Sequence, residues 1–315
     1  MLFQHYIITR FNLPVFAKKV NKAVIGSSCS DDYLSKRFPV FENFCFPSIK
    51  NQTCQNFKWL VLFDSNTPQK YKDWADRLHK EYDTFIPCYL DVSLYKELPN
   101  DYLALYKANE EALYKTDTGH IELSEMVLHH IITPAFIRDQ IHKLSEDTPE
   151  YYITTRIDND DAFHKDMVKM VQERFLCNPQ RVLYDFPNLY KYVLEQGVVY
   201  KFVLKNGHFS TLVEPGSTSP QFVTYWNHLF VEQFVKTEHL YRKPMGVELV
   251  HSMNVCNDFT DSSAQGTLYA LFHFNRRDFG YKGSHYSFHQ NIRVIAFYLK
   301  KRLIRALKGW RKDPC

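Results

Sequence analysis

"FKWLVLFDS", residues 57–65, constrains the fold more than any other stretch of the chain. It is a nearly continuous apolar run, too short for a core helix and closed by a turn, so it reads as a strand buried on both faces. Such strands belong to parallel sheets whose two faces are covered by helices. "TPQKYKDWADRLHKEY" follows, with Thr67 predicted as N-cap and Pro68 at the first helical position. Strands are also expected at "HYIITRFN" (5–12), "FIPCYLDV" (85–92) and the run from Tyr151. Between the first two, Leu34, Phe38, Phe41, Cys45 and Ile49 mark one helix face, with Pro39 predicting a kink or a late start. Helices are predicted over 124–144 and 163–175, whereas 93–123 has no clear pattern. This alternation predicts an α/β fold with a mostly parallel sheet and helices on both faces.

The second half reads differently. Asn206-Gly207 lies between two alternating segments, which predicts a hairpin and a mixed or antiparallel extension, followed by helical C-terminal material. With no repeat or linker in 315 residues, we expect one domain over 1–290, its halves meeting near 175, and a basic helix over 291–315.

Composition narrows the function. Aromatic residues make up 16% and apolar residues 45%, enough for a large core, and the 10 glycines form no phosphate-binding glycine motif. The seven cysteines include no CxxC, no signal-peptide layout opens the chain and no apolar run suits a membrane span. A cytoplasmic location is the expectation. The net charge of +4 is concentrated between Arg293 and Lys312, which hold eight Lys or Arg and no acid. The remainder is slightly acidic, against a nucleic-acid partner.

"YYITTRIDNDDAF" (151–163) carries the chemistry. Asp158, Asp160 and Asp161 crowd the carboxyl end of a predicted strand, where ligands of parallel sheets bind. They form either a solvated turn with a helix cap or a site for a hard divalent cation such as Mn2+ or Mg2+.

"FPSIKNQTCQNFKWLVLFDSNTP" (46–68) and "YYITTRIDNDDAFHKDMV" (151–168) resemble two blocks of the family-2 glycosyltransferases of GT-A fold, in the right order. With "ITRFN" and "RFPVFENFCFPSIKNQT", the chain is most similar to the rhamnosyltransferase group over much of residues 5–175. The resemblance implies a metal-dependent, inverting transfer of a sugar, with rhamnose a candidate, from a UDP- or dTDP-linked donor to a glycan or lipid-linked glycan in surface polysaccharide synthesis. It places Thr9, Arg10 and Asp64 at the donor's base, and Asp158 on the ribose or a metal-bound water. Asp160 becomes the main metal ligand, Asp161 lies nearby and Arg156 reaches the diphosphate. His251, in an H-x-x-N pattern, is the first choice to complete the metal site and His228 the second, each equally readable as a structural histidine. Glu214 is the candidate base, with a solvated strand end as its alternative, and Asp185, Glu248 and Asp258 stay open. No Glu-Asp pair of the family-2 kind is present, so a non-catalytic nucleotide- or glycan-binding module is the alternative function. For the basic helix, an anionic membrane surface and docking on the core are both open.

Overall fold

The computed structural model describes residues 1–13, 28–95, 132–145, 147–218, 220–224, 231–252, 264–282 and 286–310. His228, Asp258, most of the 93–123 stretch and the first part of the predicted 124–144 helix lie outside them.

A seven-stranded sheet forms the centre. Its strands are β1 (Phe3–Arg10), β2 (Lys58–Asp64), β3 (Phe85–Leu90), β4 (Tyr151–Arg156), β6 (Val182–Asp185), β9 (Ser210–Pro215) and β10 (Thr237–His239), in the order β10-β6-β9-β4-β1-β2-β3. All run parallel except β9, which is antiparallel to both β4 and β6. Leu60, Val61, Leu62 and Phe63 of β2 are all fully buried, as an apolar run in a two-faced sheet requires. Each such side chain contributes roughly 1.5–3 kcal/mol.

One face is covered by α1 (Asp31–Val40), α2 (Phe46–Lys50), α3 (Gln69–Glu81) and α5 (Met167–Cys177), the other by α4 (Thr133–Leu144) and the segment around Val231–Val235. Ser30 caps α1 by accepting the Tyr33 N–H, and Asp31 and Asp32 suit its first turn. Pro39 neither kinks the chain to a stop nor delays the helix. Instead a π-helical turn, Phe41–Cys45, joins α1 to α2, with the Phe46 N–H reaching back to Phe41. That wide turn keeps Phe41, Phe44, Cys45 and Phe46 all facing inward. Thr67 does not cap α3. Its hydroxyl donates to the Asp64 carbonyl, and Pro68 takes the cap position.

A second sheet, β5-β11-β7-β8, consists of β5 (Ala162–Phe163), β7 (Asn188–Val193), β8 (Val198–Val203) and β11 (Gly246–Val250), with α6 (Ala264–His273) against β8. The predicted Asn206-Gly207 hairpin is corrected here, because β8 and β9 belong to different sheets. β8 pairs instead with β7 across a turn at Gly197, whose φ is +60°. Asn206 keeps a left-handed φ of +53°, so the dipeptide turns the chain between sheets. The helix predicted over 163–175 begins only at Met167, because Ala162 and Phe163 are paired with β11.

Helix α7 (Phe288–Trp310) closes the chain. Its first turns contact α6 and β8, and beyond them Phe297, Leu299, Leu303 and Ile304 are exposed. No helix among the described residues is long and apolar enough to cross a membrane.

Candidate active site

The carboxyl ends of β1 and β4 lie side by side, joined by the Ile157 N–H to the Ile8 carbonyl. The chain then turns through Asp158-Asn159-Asp160-Asp161, with the Asp161 N–H bonded to the Asp158 carbonyl, and enters β5. The turn is fastened on every side. Asn159 donates to the Phe11 carbonyl and accepts from Arg37 Nε, at 2.7 and 2.8 Å. Asn159, Asp160 and Asp161 are buried, and neither aspartate caps a helix, since α5 begins after Asp166. The solvated-turn reading therefore fails.

Three arginines and two histidines balance the three carboxylates. Asp158, the one partly exposed member, lies 3.3 Å from Arg156 and 3.9 Å from Arg10. Burial alone would raise its pKa, but Arg156 and Arg10 outweigh that and hold it well below the usual carboxylate range. Arg10 in turn is lowered to about 10, first by Arg156 and then by burial, and stays charged at neutral pH. Asp160 Oδ2 sits 3.0 Å from Arg37 Nη1 and 3.1 Å from His251 Nε2. Against burial, Arg37 and then His251 lower its pKa. Among the described residues Asp161 pairs with His208 rather than with an arginine. It accepts the Leu249 N–H at 3.0 Å, and its other oxygen lies 3.0 Å from His208 Nε2. Burial, reinforced by Asp160 and Asp158, pushes it up to about 7, while Asp161 raises His208 against the cost of burying it.

The donor set fits a divalent cation, though not through the residues expected. One ligand atom each from Asp158, Asp161 and His208 lie within 4.8 Å of one another. Two carboxylates with one imidazole can serve a divalent cation. Of the expected set of Asp160, Asp158 and His251, Asp160 and His251 lie 3.1 Å apart and both face the Arg37 guanidinium, whereas Asp158 belongs to the Asp158–Asp161–His208 group. His208 escaped the sequence reading because Asn206-Gly207 resembled a hairpin turn, which would have left the next residue in solvent.

The remaining candidates divide. Asp64 stands at the carboxyl end of β2, and its Oδ1 accepts both the backbone and side-chain N–H of Asn66. Thr9 points away from this edge into the core, its hydroxyl accepting the Trp59 indole N–H at 3.0 Å, and is not placed to touch a donor. Glu214 is also displaced. Because β9 runs antiparallel to β4, Glu214 faces Tyr152, at the far end from Arg156 and about 13 Å along the strand. Its carboxylate accepts the N–H groups of Gln221 and Phe222, so it holds a loop. Glu248 pairs with Lys191 in the second sheet. Asp185 ends β6 at the site edge and contacts His239. A cavity of about 530 Å3 opens elsewhere, between α5 and residues 240–245, and none of the three clustered aspartates lines it.

Residues 4–113 match the family described as "Putative rhamnosyl transferase". That match covers about a third of the chain, including the "ITRFN" and "FDSNTP" blocks, and stops before the aspartate cluster. No curated protein matches. Among solved structures, TarS residues 1–349 of S. aureus, in complex with UDP-GlcNAc, align at 10% identity and a TM-score of 0.37, over 95% of this chain and 72% of that one. A "putative nucleotide-diphospho-sugar transferase" from Desulfovibrio desulfuricans aligns at 11% identity and 0.37, over 95% and 99%. Likeness at that level decides nothing about activity. The mostly parallel sheet with its single antiparallel strand and helices on both faces is the α/β architecture expected from the sequence.

Proposed function

We propose that the chain is a metal-dependent, inverting glycosyltransferase that takes a sugar from a UDP- or dTDP-linked donor to a glycan hydroxyl, with rhamnose a candidate sugar. The observation that carries this reading is the cluster of Asp158, Asp160 and Asp161 against Arg10, Arg37 and Arg156, at the carboxyl ends of β1 and β4. Such ends are where parallel sheets bind nucleotides.

A Mn2+ or Mg2+ ion held by Asp158, Asp161 and His208 would neutralise charge on the diphosphate. The protein's own groups do the rest. Arg10 and Arg156 offer guanidinium donors shaped for phosphate oxygens. Asp64 stands where the base of the nucleotide would be met. Arg37 holds Asp160 and Asn159, and so fixes the turn that carries the site before any donor arrives. One domain, 1–290, would carry this chemistry, with the basic helix as an appendix.

Glu214's absence from the site is the observation that favours the second reading, a nucleotide- or glycan-binding module without catalysis. Nucleoside diphosphate release from a panel of UDP- and dTDP-sugars, with Mn2+ and with chelator, separates the two. Release that requires the metal supports the enzyme; binding without release on any donor supports the module.

The exposed part of α7 joins apolar side chains to a basic face, the composition of a helix lying on an anionic leaflet. We place the protein at the inner surface of a membrane, where a lipid-linked acceptor would be presented.

A further inference from the structure

A sugar hydroxyl is a poor nucleophile until a base takes its proton, and Glu214 is not there to do so. We infer that His239, held by Asp185, is the general base for the acceptor hydroxyl; the assignment rests on the glycosyl-transfer reading above. His239 Nδ1 lies 2.7 Å from Asp185 Oδ2, and Asp185 is completely buried. The same oxygen accepts the Asn206 N–H at 3.1 Å, so Nδ1 is the donor toward it. That tautomer leaves a lone pair on Nε2, the arrangement a general base requires. The ring is only partly covered, at 23% exposure, and Glu232 lies 3.8 Å from Nε2, where it can steady the imidazolium.

The dyad also has the right address. His239 stands opposite Asp185, and Asp185 opposite Ser210, on neighbouring strands. Thr155 faces Thr211 across β4 and β9, so the next position along puts Arg156 beside Ser210. His239, Asp185, Ser210 and Arg156 thus form a cross-strand row at the site end of the sheet. Alternation puts that row on the face that buries Leu183, Leu212 and Tyr152. Three strand spacings separate His239 from the Arg156 backbone, about 14 Å, and the Arg156 side chain reaches back to Asp158. The 206–208 turn ties the two ends together, since Asn206 bonds Asp185 and His208 bonds Asp161.

In the step itself the acceptor oxygen bonds to the anomeric carbon while its proton passes to His239 Nε2. The bond from that carbon to the diphosphate oxygen breaks, and its electron pair leaves with the nucleoside diphosphate. The Nδ1 proton stays on His239, donated to Asp185, which acts as a positioning residue.

The test is His239→Gln, whose amide keeps a donor for Asp185, with His239→Gly for rescue. Donor turnover is followed with a panel of UDP- and dTDP-sugars, using water and methyl glycosides as acceptors. Turnover should fall by about 100-fold or more, the weight of a positioned base, while UDP or dTDP affinity and the melting temperature hold. Added imidazole should restore activity to His239→Gly. A His239→Gln enzyme within about threefold of wild type, or one whose nucleotide affinity falls with its activity, overturns the assignment. Wild-type binding without turnover overturns it too, because the protein is then a module. Wild type that binds neither UDP nor dTDP brings down the glycosyl-transfer reading itself. Independently of turnover, 15N shifts of His239 should report the Nδ1–H tautomer; an Nε2–H tautomer contradicts the base.

Discussion

Arg37 bonds Asn159 from 122 residues away in sequence and pairs with Asp160 beside it. A buried pair of this kind costs about 3–5 kcal/mol when one partner is removed, because the other charge is left without compensation. Arg37→Met should therefore lower stability by roughly 3 kcal/mol in urea unfolding, and Asp160→Asn by a comparable amount. Unfolding curves that superpose on wild type would remove this pair from the scaffold of the site. His208→Ala makes the complementary prediction, because it removes one donor of the Asp158–Asp161–His208 group without touching Arg37. Mn2+ affinity should fall at least about tenfold, or 1.4 kcal/mol, by calorimetry. His251→Ala should leave Mn2+ affinity near wild type, and the reverse ranking of the two histidines would restore the set expected from sequence. The aspartates were legible because three acids at the end of a buried strand need an explanation. Their partners were not, because His208 meets Asp161 across 47 residues and two sheets.

Strands were legible where composition left a continuous mark, as in β2, whose apolar run says both "strand" and "parallel sheet", and in the β-branched and aromatic run of β4. Pairing partners were not. Asn206-Gly207 announces a turn, but nothing local tells whether the next strand stays in the same sheet, and β9 does not. The same silence misplaced Glu214, since alternation shows that a residue ends a strand and not which edge of the sheet that end meets. Helix α7 shows the amphipathic pattern plainly, and beyond its first turns Phe297, Leu299, Leu303 and Ile304 are exposed. Deleting residues 293–315 should leave donor hydrolysis intact and abolish binding to anionic vesicles. In the intact protein that binding should weaken as salt rises, because charges are screened over about 10 Å at 0.1 M. A truncation with a markedly lower melting temperature would show the helix to be part of the core instead.

Across the whole molecule, pH acts through histidines buried without charge as well as through the site. His5 lies between Thr155 and Gln172 under the central sheet, and burial lowers its pKa from 6.5 to about 3. His164 is lowered to about 4, also chiefly by burial. The folded state resists protonating both, whereas the unfolded chain takes up protons below 6.5, so stability is full above that value and is lost as pH falls toward 3. Between pH 7 and pH 5 His5 alone should remove about 2 kcal/mol. His5→Gln should show a correspondingly smaller drop in its urea midpoint, and an equal drop would clear His5 of the effect.

The central claim is that the acidic turn after β4 gathers a divalent cation and a nucleoside diphosphate. Calorimetric titration of UDP and dTDP, each with Mn2+ and with chelator, tests it most directly. Binding of one nucleotide that depends on Mn2+, and that Asp158→Asn and Asp161→Asn both abolish while His239→Gln leaves it intact, is the result expected. Equal affinity with and without the metal, or full binding by the aspartate variants, would contradict it.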